Sequence, residues 1–391
     1  MDHVADDFSL VLGGPLHRLY LRTHLARAPL DLLHRRIIAA VLMTWVPLWV
    51  LTAIDGHASS GSAIPLLFDL DAHARLLVAL PLLVGAEPIV HRRISAIVQQ
   101  FTESGLIAPE DLPRFDAAVA SSMRLRNSAA LEVFVLLVAF VAGQWLWMAH
   151  TSLRVPMWYG AHGADGIVHL TVAGGWYALV SLPLFRFLVL RWFFRMSVWY
   201  RFLWLVSRIP LRLNSLHPDR TGGLGFLGHG ILAFAPVLLA QTILFSAVVA
   251  GRIWREGATL PQFQLDILAI VACLMMIVML PNAFFAMQLE RAWHAGLREF
   301  GDLGSRYVEG FRQKWIAGDR PASESLVGSA DIQSLADLAN SFEVVRSMRL
   351  LPLGKSTVLR LAIVVVLPLL PLTLTMIPLS EMIERAIKIF V

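Results

Sequence analysis

A glycine-rich turn, HPDRTGGLGFLGHG at residues 217–230, carries the side chains best suited to chemistry. An apolar stretch follows, so the turn lies at the N-terminal end of a predicted helix. Such an end presents unpaired backbone N–H groups and a partial positive charge, and glycines let a ligand approach the backbone. The turn therefore predicts a site for an anion, a phosphate group or a lipid headgroup. The residues assigned to it are His217, Asp219, Arg220, Thr221, Gly222, Gly223 and Gly225.

The same turn has other interpretations. Asp219 or Thr221 would cap the helix while the glycines permit tight packing, which is a purely structural use. In an enzyme, His217 and Asp219 would act as general acid and base towards the substrate, and Arg220 would bind its phosphate group. The glycines also match a dinucleotide-binding pattern, but that pattern needs a preceding strand and a soluble helix, and this turn has neither. No recognised metal-ligand spacing is present, so neither a metal nor a cofactor is predicted.

Ionisable residues inside apolar stretches form a second group: Glu87, Glu132, Arg186 and Arg360. A charge at membrane depth costs about 2.5–3.5 kcal/mol, so each needs a partner or a water-filled space. Each lies five or six residues from a basic residue at the end of its stretch, which is roughly 7–9 Å along a helix. We expect them to meet in one polar layer near the cytoplasmic face. The layer is either a structural ion-pair layer or a vestibule that opens to the cytoplasm.

The elements that carry these residues are predicted to be membrane helices. The chain has 391 residues, of which 57% are hydrophobic and 16% charged, too apolar for a soluble protein of this length. The composition and the long apolar runs predict an all-α, polytopic helical membrane bundle of about seven transmembrane helices with cytoplasmic helical extensions. The predicted spans are 37–54, 73–91, 129–149, 167–187, 226–250, 265–289 and 357–379.

Basic residues alternate between the connecting segments and predict the orientation. Segments 1–36, 92–128 and 290–356 are rich in arginine and lysine, whereas 55–72 contains neither. Segments 150–166 and 251–264 contain one and two arginines respectively. The positive-inside rule then places the N-terminus in the cytoplasm, and we expect a multi-pass protein of a bacterial-type cytoplasmic (inner) membrane.

The aromatic and arginine-rich stretch 185–213 is interpreted as a cytoplasmic extension of the fourth span that lies among anionic lipid headgroups. Counting it as a span would place the basic segment 290–356 outside.

The predicted organisation is a cytoplasmic N-terminal segment, a membrane domain, a cytoplasmic helical segment and a proline-rich last span with a short amphipathic tail. Their limits are 1–36, 37–289 with cytoplasmic segments 92–128 and 188–225, 290–356, and 357–391.

Two cytoplasmic helices are predicted. One covers 108–126, and the other covers 329–348, where Ser329 or Asp331 would cap an apolar stripe. A neighbouring helix, a second copy of the chain or the membrane surface would cover that stripe, so a homo-oligomer is one expectation.

The last span contains Pro368, Pro371 and Pro378, which predict a bent or re-entrant segment.

These features favour a channel or transporter that moves an ion or small solute across the membrane. The first alternative is a membrane-embedded enzyme acting on a lipid or phosphorylated headgroup. The second is a non-catalytic scaffold or sensor that uses stretch 185–213 to recognise anionic lipid. Nucleic acid is not expected as a partner, because the positive-inside rule already accounts for the basic residues.

Overall fold

The computed structural model describes residues 8–24, 31–59, 62, 64–150, 157–162, 168–318, 325 and 329–376. Over these residues the chain is a helical bundle, which confirms the predicted helical class. The helices are α1 (Gly14–Arg22), α2 (Leu33–Thr44), α3 (Val46–Ile54), α4 (Leu70–His73), α5 (Leu80–Glu103), α6 (Leu112–Arg126), α7 (Ala129–His150), α8 (Val172–Trp176), α9 (Leu182–Val206), α10 (Leu227–Ala233), α11 (Ala235–Glu256), α12 (Gln264–Met279), α13 (Ala286–Phe311), α14 (Ala330–Arg346), α15 (Lys355–Val366) and α16 (Leu370–Thr373). Strands β1 (Gly160–His162) and β2 (Val168–Leu170) form a short antiparallel pair.

Several of these helices join end to end into stretches long and apolar enough to cross a membrane. Six such stretches are present among the described residues. A bent pair, Pro109–Arg126 followed by Ala129–Trp145 at an angle of 44°, brings the number to seven if it is counted as one span. The six are Leu33–Ile54, Leu70–Glu103, Val172–Val206, Ala235–Glu256, Leu260–Ile316 and Lys355–Met376.

The stretch 185–213 extends the fourth predicted span, and part of it also packs against other helices, which the sequence analysis did not predict. Helix α9 continues without a break to Val206, and one of its faces is buried in the bundle. Arg191 is 5% exposed and Arg195 is 3% exposed. The helix enters the bundle because acidic side chains inside it neutralise these arginines, as described below.

The N-terminal segment also packs into the bundle. The side chains of Phe8, Ser9, Leu10 and Val11 are all buried. The ring of Phe8 lies 4.9 Å from that of Phe202, and the Ser95 hydroxyl donates a hydrogen bond of 2.6 Å to the Phe8 carbonyl. The apolar run FSLVL (8–12) explains this placement, since exposing it to water would be unfavourable.

The helices predicted for 108–126 and 329–348 are present as α6 and α14. The Ser329 hydroxyl accepts a hydrogen bond from the Asp331 N–H and so caps α14, as one of the two predicted caps. Helix α13 packs against the apolar stripe of α14. A neighbouring helix thus covers much of the stripe, although Ile332 is 46% exposed.

The proline-rich last span is interrupted, as predicted. Helix α15 ends at Val366, and short 3₁₀ turns and α16 follow around Pro368 and Pro371. The Ser246 hydroxyl of α11 donates to the Pro368 carbonyl at 2.8 Å, which anchors the bend to a neighbouring helix. Pro378 and the predicted amphipathic tail lie outside the described residues.

Candidate functional site

Glu87 on α5 is the centre of a buried ion-pair network. Its carboxylate lies 3.1 Å from Arg191 Nη1 and 2.9 Å from Arg195 Nη2, and it also pairs with Arg36 of α2. The side chains of these four residues are between 1% and 6% exposed. Desolvating a carboxylate is costly, and three guanidiniums supply the opposing charge and hydrogen bonds that make its burial tolerable.

Glu132, in the first turn of α7, joins the same network through Arg191. The Arg191 Nε lies 2.9 Å from Glu132 Oε1, while its Nη1 contacts Glu87. We call Arg36, Glu87, Glu132, Arg191 and Arg195 the Glu87 network. With three arginines and two glutamates it has a formal charge of +1, and it ties α2, α5, α7 and α9 together.

The predicted polar layer is therefore only partly present. Glu87 and Glu132 do lie close together, but their partners are not Arg186 and Arg360. Arg360 is exposed on α15. Arg186 precedes Arg191 by five residues, a rotation of roughly 140° around a helix axis, and so points to another part of the bundle.

Sequence analysis missed the arginines that pair with the glutamates. Arg191 and Arg195 are four residues apart and thus share one helix face, which was the available signal. Their place in an aromatic stretch instead suggested contact with lipid headgroups. Arg36 was assigned to the cytoplasmic N-terminal segment, yet it lies in the first turn of α2, within a stretch long and apolar enough to span a membrane.

Helix α1, in the N-terminal segment, packs against the Glu87 network. The guanidinium of Arg36 lies 5.7 Å from the centre of the Tyr20 ring, a cation–π arrangement. Gly14 begins the helix with φ of +83°, and a Cβ built there would lie 2.5 Å from Glu132 Oε2. The positive φ favours glycine, and a side chain here would displace the Glu132 carboxylate, so the N-terminal segment packs directly against the network.

Arg186 lines a separate cavity of about 300 Å³ between α9, α11 and the start of the second spanning stretch. We call it the Arg186 cavity. Its wall contains three arginines, two aspartates and two tyrosines, and apolar side chains complete it. The polar residues are Asp69, Asp71, Arg75, Tyr159, Tyr177, Arg186 and Arg255.

Two π-helical segments shape this cavity. Arg75 belongs to the segment Ala74–Ala79, and Tyr177 to the segment Tyr177–Ser181. Arg75 Nη1 donates a 2.6 Å hydrogen bond to the Tyr177 hydroxyl, and its Nη2 pairs with Asp71 at 2.7 Å. A π-bulge redirects side chains within a helix and is frequent at functional sites. Here two of them meet across one cavity.

Two polar atoms of the cavity lack a protein partner. Among the described residues, neither Arg186 Nη1 nor Asp71 Oδ1 has a hydrogen bond, although both atoms are buried. Leaving such a group unsatisfied costs about 1–3 kcal/mol. Both residues line the cavity, so its wall contains two charged side chains whose hydrogen-bonding capacity the described residues leave partly unused.

The other aspartate of the cavity is held in place by its neighbours. Asp69 accepts a 2.9 Å hydrogen bond from the indole of Trp158, and it also accepts from the Ala72 N–H at the start of α4. Arg255 Nη1 lies 4.0 Å from the same carboxylate. Asp69, the loop containing Trp158 and the end of α11 thus form a fixed wall.

The cavity lies at one end of the bundle and the Glu87 network lies deeper along the same helices. Segments 55–72, 150–166 and 251–264, predicted on one side of the membrane, contribute Asp69, Tyr159 and Arg255 to it. Arg75 and Glu87 are twelve residues apart on one spanning stretch, which corresponds to roughly 18 Å. The two charged clusters are therefore at different depths.

In the glycine-rich turn, the Asp219 carboxylate occupies the backbone N–H groups that the predicted anion site would use. It accepts hydrogen bonds from Thr221 N at 2.8 Å, Gly223 N at 3.2 Å and Gly225 N at 2.8 Å. Burial alone would raise the pKa of Asp219, but these backbone hydrogen bonds lower it below its ordinary value. A carboxylate held this way is a weak base and serves as an internal cap.

The remaining residues of the turn have supporting contacts. His217 Nδ1 lies 2.9 Å from Asp219 Oδ1. Arg220 is exposed and has a φ of +57°, and its carbonyl accepts from the Arg349 N–H at 2.7 Å. Gly222 and Gly223 also adopt positive φ angles, +65° and +98°. The backbone thus folds around Asp219 and docks on the segment that follows α14.

No family model matches this chain, and neither a curated protein nor a solved structure is similar to it. Its function is consequently argued from the Arg186 cavity and the Glu87 network.

Proposed function

We propose that this chain is a transporter of the cytoplasmic membrane that binds a small anionic solute in the Arg186 cavity. The N-terminus and the Glu87 network face the cytoplasm in this proposal, in agreement with the distribution of basic residues between segments. The cavity then faces the outer side. The observation that carries the proposal is that Arg186 lines the cavity while its Nη1 has no hydrogen-bond partner among the described residues.

The charges of the cavity favour an anion. Arg75, Arg186 and Arg255 oppose Asp69 and Asp71, which leaves a formal charge of +1. The contacts of Arg75 and Arg255 are made with the aspartates, so Arg186 supplies the free positive charge. A volume of about 300 Å³ suits a small solute.

We further propose that the cytoplasmic end of the transporter is closed in this structure, and the Glu87 network supports this. Its side chains are nearly inaccessible to solvent, and helices from four parts of the chain meet in it. Alternating access requires one closed end while the other is open. Separation of the network's helices would break several ion pairs together, which is the behaviour expected of a gate with two discrete positions.

The proposal is tested with purified protein in liposomes and in detergent. Acetate, glutamate, chloride, sulfate and inorganic phosphate are each screened for stabilisation against thermal unfolding, since a ligand that binds only the folded state raises its stability. Uptake of the stabilising anion is then measured with Arg186→Ala, Arg186→Lys and Asp71→Asn. We expect Arg186→Ala to abolish both stabilisation and uptake, and Arg186→Lys to retain part of each.

Arg360→Ala provides the matched control, since it removes an arginine that lies exposed on a spanning helix and outside the cavity. It should leave binding and uptake unchanged. Uptake that persists in Arg186→Ala, or that falls equally in Arg360→Ala, would contradict the proposal.

A further inference from the structure

A second groove lies at the opposite end of the bundle, between the end of α9 and the start of α13. It has a volume of about 740 Å³ and is independent of the Arg186 cavity. Its lining combines two arginines with an apolar floor, and no residue of the described lining is acidic. The lining residues are Trp204, Ser207, Arg208, Pro210, Leu211, Leu213, Phe284, Met287, Gln288, Arg291, Ala292 and Ala295.

Each arginine of the groove is preceded in sequence by exposed apolar side chains of its spanning helix. Towards α13, Leu280, Phe284 and Met287 are 61%, 38% and 61% exposed, and Arg291 follows. Met287 and Arg291 are four residues apart on α13 and share one face, and Phe284 lines the same groove. Trp204 is exposed near the end of α9, and Arg208 follows it four residues later, just beyond the helix. Apolar surface thus leads directly to positive charge on both walls.

The guanidinium groups are held over this apolar surface. The Arg208 guanidinium lies 5.1 Å from the centre of the Trp204 ring, and Arg291 Nη2 lies 3.3 Å from the Met287 sulfur. Tryptophan and arginine in this arrangement are typical of the boundary between hydrocarbon and headgroups. Here they occur at the ends of two different helices that share one groove.

Gln288 fixes the width of the groove. Its side-chain amide donates to the carbonyls of Ser207 at 2.6 Å and Ile209 at 2.9 Å, and its oxygen accepts from the Leu211 N–H. These bonds attach the segment after α9 to α13, so the two arginine-bearing walls are held together before any ligand arrives. Such preorganisation lowers the entropic cost of binding.

We infer that this groove binds one anionic phospholipid, with its phosphate between Arg208 and Arg291 and an acyl chain along Trp204, Phe284 and Met287. A diester phosphate with attached hydrocarbon matches both the charge and the apolar floor. Free phosphate would satisfy only the arginines and would leave the apolar floor uncovered. The bound lipid bridges α9, which carries two arginines of the Glu87 network, and α13.

The test uses protein in nanodiscs with phosphatidylcholine and a graded fraction of phosphatidylglycerol whose acyl chains carry bromine. Bromine quenches tryptophan fluorescence at contact, and Trp204→Phe identifies the part of the quenching that comes from the groove. We expect this part to saturate at a low fraction of brominated phosphatidylglycerol. Brominated phosphatidylcholine at the same fraction should quench it much less.

Arg208→Ala and Arg291→Ala should each weaken the preference for phosphatidylglycerol about fivefold, the effect expected for one basic residue near an anionic surface. Arg298→Ala is the control, because Arg298 lies on α13 two turns beyond Arg291 and does not line the groove. The inference is overturned if the Trp204 quenching is the same for both lipids, if Arg298→Ala acts like Arg291→Ala, or if millimolar inorganic phosphate displaces the quenching lipid.

Discussion

Arg75 and Tyr177 join two π-helical segments across the Arg186 cavity. They are 102 positions apart, and a hydrogen bond of 2.6 Å connects Arg75 Nη1 to the Tyr177 hydroxyl. Arg75 also pairs with Asp71 and lies 5.9 Å from the centre of the Phe185 ring. The guanidinium is thus held on three sides, and the shape of the cavity depends on this one contact between distant parts of the chain.

Replacing Tyr177 with phenylalanine should loosen the cavity. The change removes the hydrogen-bond acceptor of a partly buried guanidinium, which costs about 1 kcal/mol in unfolding free energy. We also expect weaker binding of the anion identified in the screen above. Tyr307→Phe is the control, because it too removes a tyrosine hydrogen bond, to the Asp331 carbonyl, but lies outside the cavity. Equal binding by the two variants would show that the contact does not shape the site.

Loss of charge at Glu87 should destabilise the fold more than the same change at Glu132. Glu87→Gln leaves three buried arginines without their shared carboxylate, and breaking a buried ion pair in this way costs about 3–5 kcal/mol. Glu132→Gln removes a single contact, to Arg191. Thermal unfolding in detergent should rank the variants in this order, with exposed Arg360→Ala within about 0.5 kcal/mol of the parent. A Glu87→Gln protein as stable as Glu132→Gln would contradict the central role of Glu87.

The close approach at Gly14 gives a test of the packed N-terminal segment. Gly14 and Gly56 have φ angles of +83° and +74°, so alanine is strained at both. That strain costs roughly 1–2 kcal/mol. Only at Gly14 would the new Cβ also meet Glu132 Oε2, at 2.5 Å, whereas at Gly56 no atom lies within 4 Å.

Gly14→Ala should therefore lower the unfolding free energy by clearly more than Gly56→Ala does, and it should expose residues 8–14 to limited proteolysis. If the two variants are equally stable and equally resistant, the N-terminal segment does not depend on contact with Glu132.

Asp219 should contribute stability that is lost in acid. Its folded pKa lies below the ordinary value of about 3.9. The folded state therefore favours the ionised form, and the contribution is complete above about pH 4 and disappears as the pH falls through the lower folded pKa. Asp219→Asn should be less stable than the parent at pH 7, and the difference should shrink below pH 4. Asp302→Asn, at an exposed position on α13, should show no such dependence. A pH-independent difference for Asp219→Asn would exclude this account.

The sequence by itself determined the helical architecture and the positions of its apolar helices. Among the described residues, most of each of the seven predicted stretches is helical, because long apolar runs favour a structure that satisfies its own backbone hydrogen bonds. The start of 167–187 is an exception, since residues 168–170 form strand β2. The cap at Ser329 and the interrupted last span were also readable, since they depend on local chemistry alone.

Tertiary structure decided which charged groups meet. Arg186 and Arg191 are near in sequence, yet helix rotation sends one to the cavity and the other to Glu87. The π-helical segments that aim Arg75 and Tyr177 have no sequence signature, and the Asp219 carboxylate folds back onto its own turn. Which charged side chains pair depends on the orientation and spacing of the helices in three dimensions. Hydropathy along one chain carries no information about either.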